Sequence, residues 1–354
     1  MHAVILAGGQ GSRLWPISNK QTPKQFVNIG DENLLQKAFK RASNIDSVQN
    51  IITITNSDYL AEVKKSYSHI PKIKGNKYSC EIIIEPSPKD TAAAITAAAV
   101  HISLNYGPNQ PIIILPSDHI ITDSSAFIES VQKAKKMALQ NKIVTLGIKP
   151  THPETNYGYI EYNENEVVSF KEKPSLTAAI EYIASGKFLW NSGILCFTVG
   201  VLINEMKKYC PSLLSIIKQS INRSFTYGLD DKEIFLNEYL WDNLPKISID
   251  YALLEKTNQI AVLPCSIGWN DVGNWQAMSK MGVKDEKGNS IKGNVTLHDS
   301  NNCYVENKSQ KTIALIGVQN LTVIETKEGF LIMDKNNAVV PKEIFATLQE
   351  KSIL

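Results

Sequence analysis

Residues 2–26 read HAVILAGGQGSRLWPISNKQTPKQF. An apolar run ends at Gly8, Gly9 and Gly11, and Arg13 and Lys24 follow. Glycine lets a backbone approach a ligand closely. Consecutive N–H groups in such a loop form an anion-binding nest. Guanidinium and ammonium groups add charge-assisted hydrogen bonds to phosphate oxygens. The segment is therefore suited to cradling a polyphosphate. GGQGSR matches neither the dinucleotide fingerprint nor the Walker pattern. A second reading stays open at this point: a tight turn with Arg13 and Lys24 in solvent.

Other islands carry polar groups at predicted strand ends. In ILPSDHII (114–121), Asp118 follows an apolar run, where a hard oxygen can hold a divalent cation such as Mg²⁺ or simply cap a turn. Asp271 in GWNDVGNW (268–275) follows IAVLP and has the same two readings. FKEKPS (170–175) offers Glu172 and Lys173, and LWNSGILCF (189–197) offers the Asn191 amide, which both donates and accepts. NYGYIEY (156–162) brings backbone close at Gly158. His119 reads as a structural neighbour of Asp118 rather than a base. Asp250 in ISIDYALLEKT (247–257) reads equally as a helix N-cap or a ligand contact, and is left out of the catalytic set.

These residues need a frame, and the first half supplies one. VILA, IITIT, EIIIE, IIILP and KIVTLGI are runs typical of strands buried on both faces. Helical patterns alternate with them at 34–42, 58–67, 91–104 and 127–139. That alternation implies right-handed βαβ units around a parallel sheet. Residues 157–170 read as a hairpin, 175–186 as a helix ending at a glycine, and 200–245 as mostly helical. From about residue 285 short strands broken by Asn, Asp, Gly and Lys suggest a small all-β unit of solenoid turns, with EIFATLQEKSI as a closing helix. The expected domains are 1–284 and 285–354, joined at KDEKGNS.

Net charge is +2 over 354 residues, so no global field favours nucleic acid or a membrane surface. The five cysteines form no C-x-x-C pair, which fits a reducing cytoplasm. No leader or membrane-length apolar run is visible.

AGGxGxRLxP followed by PK resembles the signature of the sugar-phosphate nucleotidyltransferases, and RLWP with PKQF resembles their mannose-1-phosphate guanylyltransferase branch. Asp118, FKEKP, WNSG, ISIDYALLEKT and GWNDVGNW follow in the family's order, so the resemblance covers residues 2 to about 335. One departure stands at 89–93. There the family usually has Gly-Arg-Asn-Thr-Ala-Pro and this chain has Lys89, Asp90, Thr91, Ala92 and Ala93. Lysine keeps the charge of arginine but not its bidentate fork; Asp90 or Thr91 also reads as a plain N-cap.

The resemblance implies an α/β fold: a Rossmann-like, GT-A-like mixed-sheet domain followed by the β-solenoid-like one. It implies GTP and mannose 1-phosphate as substrates and Mg²⁺ as cofactor, held by Asp118 and Asp271. Arg13, Lys24, Asp118, Lys173 and Asp271 are the expected catalytic set. Leu6, Ala7, Gly8, Gly9, Gly11, Arg13, Lys24, Glu85 and Asp118 are the expected nucleotide contacts, and Gly158, Glu172, Lys173 and Asn191 the sugar-phosphate contacts. Neither nucleic acid nor membrane is an expected partner, and a homodimer through the β tail is. A fused isomerase domain is expected to be absent. The alternatives are another sugar 1-phosphate or nucleotide, or a sugar-nucleotide sensor without catalysis.

Overall fold

The computed structural model describes residues 1–9, 14–70, 78–228, 231–337 and 344. The chain divides into two compact units. The larger holds residues 1–8 and 35–269, the smaller 9–34 and 270–354.

In the larger unit the apolar runs pair as strands. They are β1 (His2–Leu6), β2 (Asn50–Asn56), β3 (Ser79–Glu85), β4 (Pro111–Pro116), β5 (Ile143–Ile148), β6 (Tyr159–Asn163), β7 (Glu166–Lys171), β8 (Phe188–Thr198), β9 (Phe225–Tyr227), β10 (Asp231–Phe235) and β11 (Ile260–Cys265). Among the described residues these eleven form one sheet, in the order β9-β10-β3-β2-β1-β4-β8-β5-β11-β7-β6. β1 runs parallel to both β2 and β4. β8 is antiparallel to β4 and to β5, so the sheet is mixed. β1 sits where the strand order reverses, the place at which an open α/β sheet opens a crevice beyond its strand ends. Leu6, Ala7 and Gly8 lie at that edge.

The helices follow from apolar stripes and caps. The longer ones are α1 (Leu34–Ser43), α2 (Leu60–Ser68), α3 (Thr91–Tyr106), α4 (Ser124–Ala138), α5 (Leu176–Ser185), α6 (Val199–Tyr209) and α7 (Pro211–Asn222). α3 is the buried one. Ala92, Ala93, Ala97, Ala98 and Ala99 are fully covered, in one core with Val4, Ile114, Leu202 and Ile217. Small side chains let the helix pass between the sheet and α6 and α7, and an added methylene there would overpack the core at about 1–3 kcal/mol. Asp90 caps α3, its carboxylate accepting from Thr91 N at 2.7 Å, with φ at 69°.

The stretch 200–245 departs from the helical expectation. α6 and α7 are as read, but β9 and β10 occupy 225–227 and 231–235. The physical reason is the exposed flank of β3. Its parallel ladder is completed by β10, which buries Ile234.

The smaller unit carries β12 (Ser290–Lys292), β13 (Val295–His298), β14 (Tyr304–Asn307), β15 (Ile313–Ile316), β16 (Leu321–Thr326) and β17 (Gly329–Asp334). β12, β14 and β16 stack in parallel, as do β13 and β15, the pattern of a solenoid. Cys303, Val305, Ile313, Leu315 and Val323 fill its core. Residues 14–33 and 270–284 cluster with these strands. Trp275 Nε1 donates to Trp15 O at 3.1 Å, and the Trp15 ring lies where a side chain on Gly329 would stand, 2.7 Å from its Cβ position. The expected closing helix lies outside the described residues, apart from Ile344.

Candidate active site

The larger unit gathers three groups of the expected residues. The first lies at the end of β1. Ala7 N donates to Ile54 O at 2.7 Å, and Ser117 N to Leu6 O at 3.2 Å, so these backbone groups tie the loop to the neighbouring strands. Beyond them the Glu85 carboxylate lies against Gly8; a Cβ on Gly8 would meet Oε2 at 3.2 Å. Glu85 is 4% exposed, and among the described residues its Oε1 has no hydrogen-bond partner. Burial, with Asp90 adding like charge, pushes its carboxyl up to about 8.

The second group surrounds Asp118 at the end of β4. His119 Nε2 stands 3.7 Å from Asp118 Oδ1, and the Asp118 side chain is 33% exposed. Trp269 Nε1 donates to His119 Nδ1 at 3.2 Å. Neutral His119 therefore carries its proton on Nε2, toward Asp118. Arg41 donates to His119 O at 2.9 Å and pins the same loop. Arg41 is a residue the sequence reading missed.

The third group joins β5, β6, β8 and the loop after β7. Glu172 and Asn191 flank Gly158: a Cβ there would meet Glu172 Oε2 at 2.7 Å and Asn191 Cβ at 3.6 Å. Asn191 N donates to Gly158 O at 2.8 Å. Lys173 Nζ lies 3.2 Å from Glu172 Oε1, at a backbone φ of 44° that side-chain-bearing residues seldom adopt. Tyr157 packs edge-on against both Trp190 and Trp269, with ring centroids 5.2 Å apart in each pair. The Asn191 amide is committed more fully than expected. Its oxygen accepts from Thr145 Oγ1 at 3.1 Å and from Gly193 N at 3.2 Å, and its nitrogen donates to Asp250 Oδ1 at 3.0 Å. It has no acceptor left to offer. Asp250 is not the N-cap; Ile249 holds that position and Asp250 opens a π-helical turn, Asp250–Leu254. Burial, then the negative charge of Glu172, push the Asp250 carboxyl up to about 6.

In the smaller unit Lys24 is buried in a single 3₁₀ turn, Lys24–Phe26. Its Nζ donates to Asp271 O. Gln25 Nε2 donates to Gly9 O at 2.9 Å. The Asp271 carboxylate folds over its own turn, Oδ1 accepting from Gly273 N at 2.6 Å. Gly9, Lys24 and Asp271 therefore share one neighbourhood of this unit. Gly11 and Arg13 lie outside the described residues.

Among the described residues no three His, Cys, Asp or Glu side chains form a cage. In the larger unit the Asp118 side chain is partly exposed, and a lone exposed carboxylate suits a hard divalent cation whose other ligands are water and phosphate oxygens. Among the described residues no helix is long and apolar enough to cross a membrane.

Known proteins resemble this chain along most of its length. The Nucleotidyl transferase family pattern matches residues 2–288. The chain belongs to the nucleotidyl transferase family. Residues 293–348 of this nucleotidyl transferase match the MannoseP isomerase/GMP-like beta-helix domain. It is 35% identical to a mannose-1-phosphate guanylyltransferase of Escherichia coli, over 96% of this chain and 74% of that one. It is 35% identical to the alginate biosynthesis protein AlgA of Pseudomonas aeruginosa, over 98% and 72%. A solved structure from Thermus thermophilus, described as a mannose-1-phosphate geranyltransferase, superposes with a TM-score of 0.83 at 28% identity, covering 99% of both chains. The family and the mixed α/β domain with its C-terminal β-helix are thus as the sequence motifs indicated.

Thr145 is a polar residue of the third group that the sequence reading missed, and Asp250 is one it left out of the catalytic set. Asp250 carried a signal, an acidic residue in a family-like segment, but nothing local tied it to Asn191. Replacing Gly158 by Ala places a methyl on Glu172 Oε2. The carboxylate end is mobile enough to swing aside, so the fold is expected to persist. The motif resemblance implies that Glu172 contacts the sugar phosphate, so the KM for that substrate is expected to rise by about tenfold. Steady-state kinetics beside a thermal melt checks this; an unchanged KM shows that Glu172 does not touch that substrate.

Proposed function

We propose that this nucleotidyl transferase joins mannose 1-phosphate to the GMP moiety of GTP, giving GDP-mannose and pyrophosphate. Relatives named for this reaction align along nearly the whole chain, which supports it. A phosphate oxygen of the sugar attacks the α-phosphorus, and the bond from that phosphorus to the β-phosphate oxygen breaks. The attacking oxygen is already anionic at neutral pH, so no protein nucleophile is required. Catalysis is positioning and charge neutralisation. From the sequence motifs come the phosphate roles: Gly8, Gly9, Gly11, Arg13 and Lys24 hold the triphosphate, and Lys173 the sugar phosphate. Asp118 and Asp271 are the proposed ligands of Mg²⁺. When bound, that cation neutralises charge on the attacking and α-phosphate oxygens.

The observation that carries the nucleotide half is Glu85. A buried carboxylate whose Oε1 has no partner among the described residues, set against Gly8 at the sheet's switch point, is placed to accept donors from a ligand. The Watson–Crick edge of guanine offers two N–H donors side by side; adenine offers one beside an acceptor. An ionised Glu85 therefore selects guanine.

The C-terminal unit supports the homodimer in the same reading. Phe330 and Ile332 on β17 are 49% and 59% exposed on a strand at the end of its sheet. A light-scattering mass of about twice 39.3 kDa is expected, and a single-chain mass removes the dimer from the proposal. The cytoplasm is the proposed site of action, in keeping with five free cysteines.

Two further measurements bear on the reaction. Pyrophosphate release with Mg²⁺, crossing GTP, ATP, UTP and dTTP with mannose and glucose 1-phosphates, is expected to favour GTP with mannose 1-phosphate. Preference for another pair overturns the substrate assignment. The Glu85 carboxyl is neutral below about 8 and ionised above it. Only the ionised form accepts both guanine N–H groups. GTP affinity should thus climb as pH rises toward that value, approaching about tenfold per unit well below it. Glu85→Gln should flatten the profile and narrow the preference for GTP over ATP. A profile that is flat in the unaltered protein removes Glu85 from the base site.

A further inference from the structure

The Asn191 amide cannot be turned over. Gly193 N–H only donates, so the amide oxygen must face it, and Thr145 donates to the same oxygen. This geometry comes from an irregularity in β8. Its pairing with β5 shifts register between Asn191 and Leu195, and Gly193 takes a φ of +68°. Bulges re-aim side chains in this way. The amide nitrogen then faces Asp250, leaving one amide N–H of Asn191 uncommitted among the described residues.

Asp250 is itself held in place. Ile249 N donates to Thr91 Oγ1 at 2.8 Å, and Ala92 N to Ile247 O at 3.2 Å. The segment before the π-helical turn is thereby strapped to the first turn of α3. Glu172 lies close enough to raise the Asp250 carboxyl by like charge, and Glu255 adds to it more weakly. An arrangement that sets two carboxylates near one amide costs stability. It suits a ligand carrying several hydroxyls.

We propose that Asp250 is the positioning residue of the sugar subsite: it holds Asn191 so that a sugar hydroxyl receives the spare N–H of Asn191 and gives its own hydrogen to Glu172. The inference rests on the sugar 1-phosphate reading given above. It assigns Asn191 a donor's part only, and it makes sugar affinity depend on a residue that does not touch the sugar.

The test is a set of variants, with KM measured separately for mannose 1-phosphate and GTP, calorimetric sugar-phosphate binding, and a thermal melt. Asp250→Ala removes the anchor and should raise the sugar-phosphate KM by about tenfold with the GTP KM unchanged. Asp250→Asn keeps an oxygen that accepts from Asn191 and should stay within about threefold of the unaltered protein. Thr145→Val loosens the amide from its other side, and covers the case in which Asp250→Ala does not fold; it should raise the same KM without moving that for GTP. The inference is overturned if Asp250→Ala or Thr145→Val leaves the sugar-phosphate KM unchanged or shifts both KM values alike. It is equally overturned if Asp250→Asn is as damaging as Asp250→Ala. A protein that turns over a different sugar 1-phosphate overturns the mannose reading alone, and the same variants measured on that sugar decide the inference. One that binds no sugar 1-phosphate overturns both.

Discussion

The parallel pairing of β1 between β2 and β4 is the constraint on which the larger unit depends. With strand partners on both edges and α3 packed against it, β1 has its backbone satisfied in the ladder until Leu6. Leu6 and Ala7 commit their next groups to Ser117 and Ile54. The chain then leaves the sheet at Gly8, beside a carboxylate that the same burial keeps from ionising easily. The proposed phosphate loop, the proposed base-reading group and Asp118 all hang from the carboxyl ends of three parallel strands, β1, β3 and β4, with β2 between β1 and β3.

The second centre obeys a different rule. β8 runs antiparallel between β4 and β5, so its side chains are delivered from the opposite direction. A register shift at Asn191–Leu195 turns one amide out of the ladder. Thr145, Gly193 and Asp250 then fix it from three elements. Rigid placement of this kind is what a site needs if a hydroxyl is to be read by the sense of its hydrogen bonds rather than by bulk.

The alternating strands and helices of the first half were legible because strands buried on both faces lose the two-residue alternation and leave long β-branched runs. The glycine loop, Asp118, Glu172–Lys173 and Asn191 were legible as motifs at strand ends. What sequence hid was mostly long-range. β9 and β10 are short, follow two helices, and exist because β3 has an edge to fill. Asp250 reads equally as a cap or a ligand contact until Asn191, 59 residues earlier, is set beside it. Arg41 and Thr145 carry no local signature; only their partners give them meaning.

The grouping of residues 14–33 with the C-terminal strands has a consequence for how such chains recombine. Trp15 rests on Gly329, Pro16 O accepts from Thr326 Oγ1 at 3.4 Å, and Trp275 donates to Trp15 O. A chimaera spliced at the linker near residue 285 would inherit the N-terminal segment from one parent and its seat from the other. The mismatch would fall on the turn that carries Lys24. Exchange of the solenoid between relatives is therefore an exchange of two separated stretches of sequence, and the ancestry of the first should track that of the second.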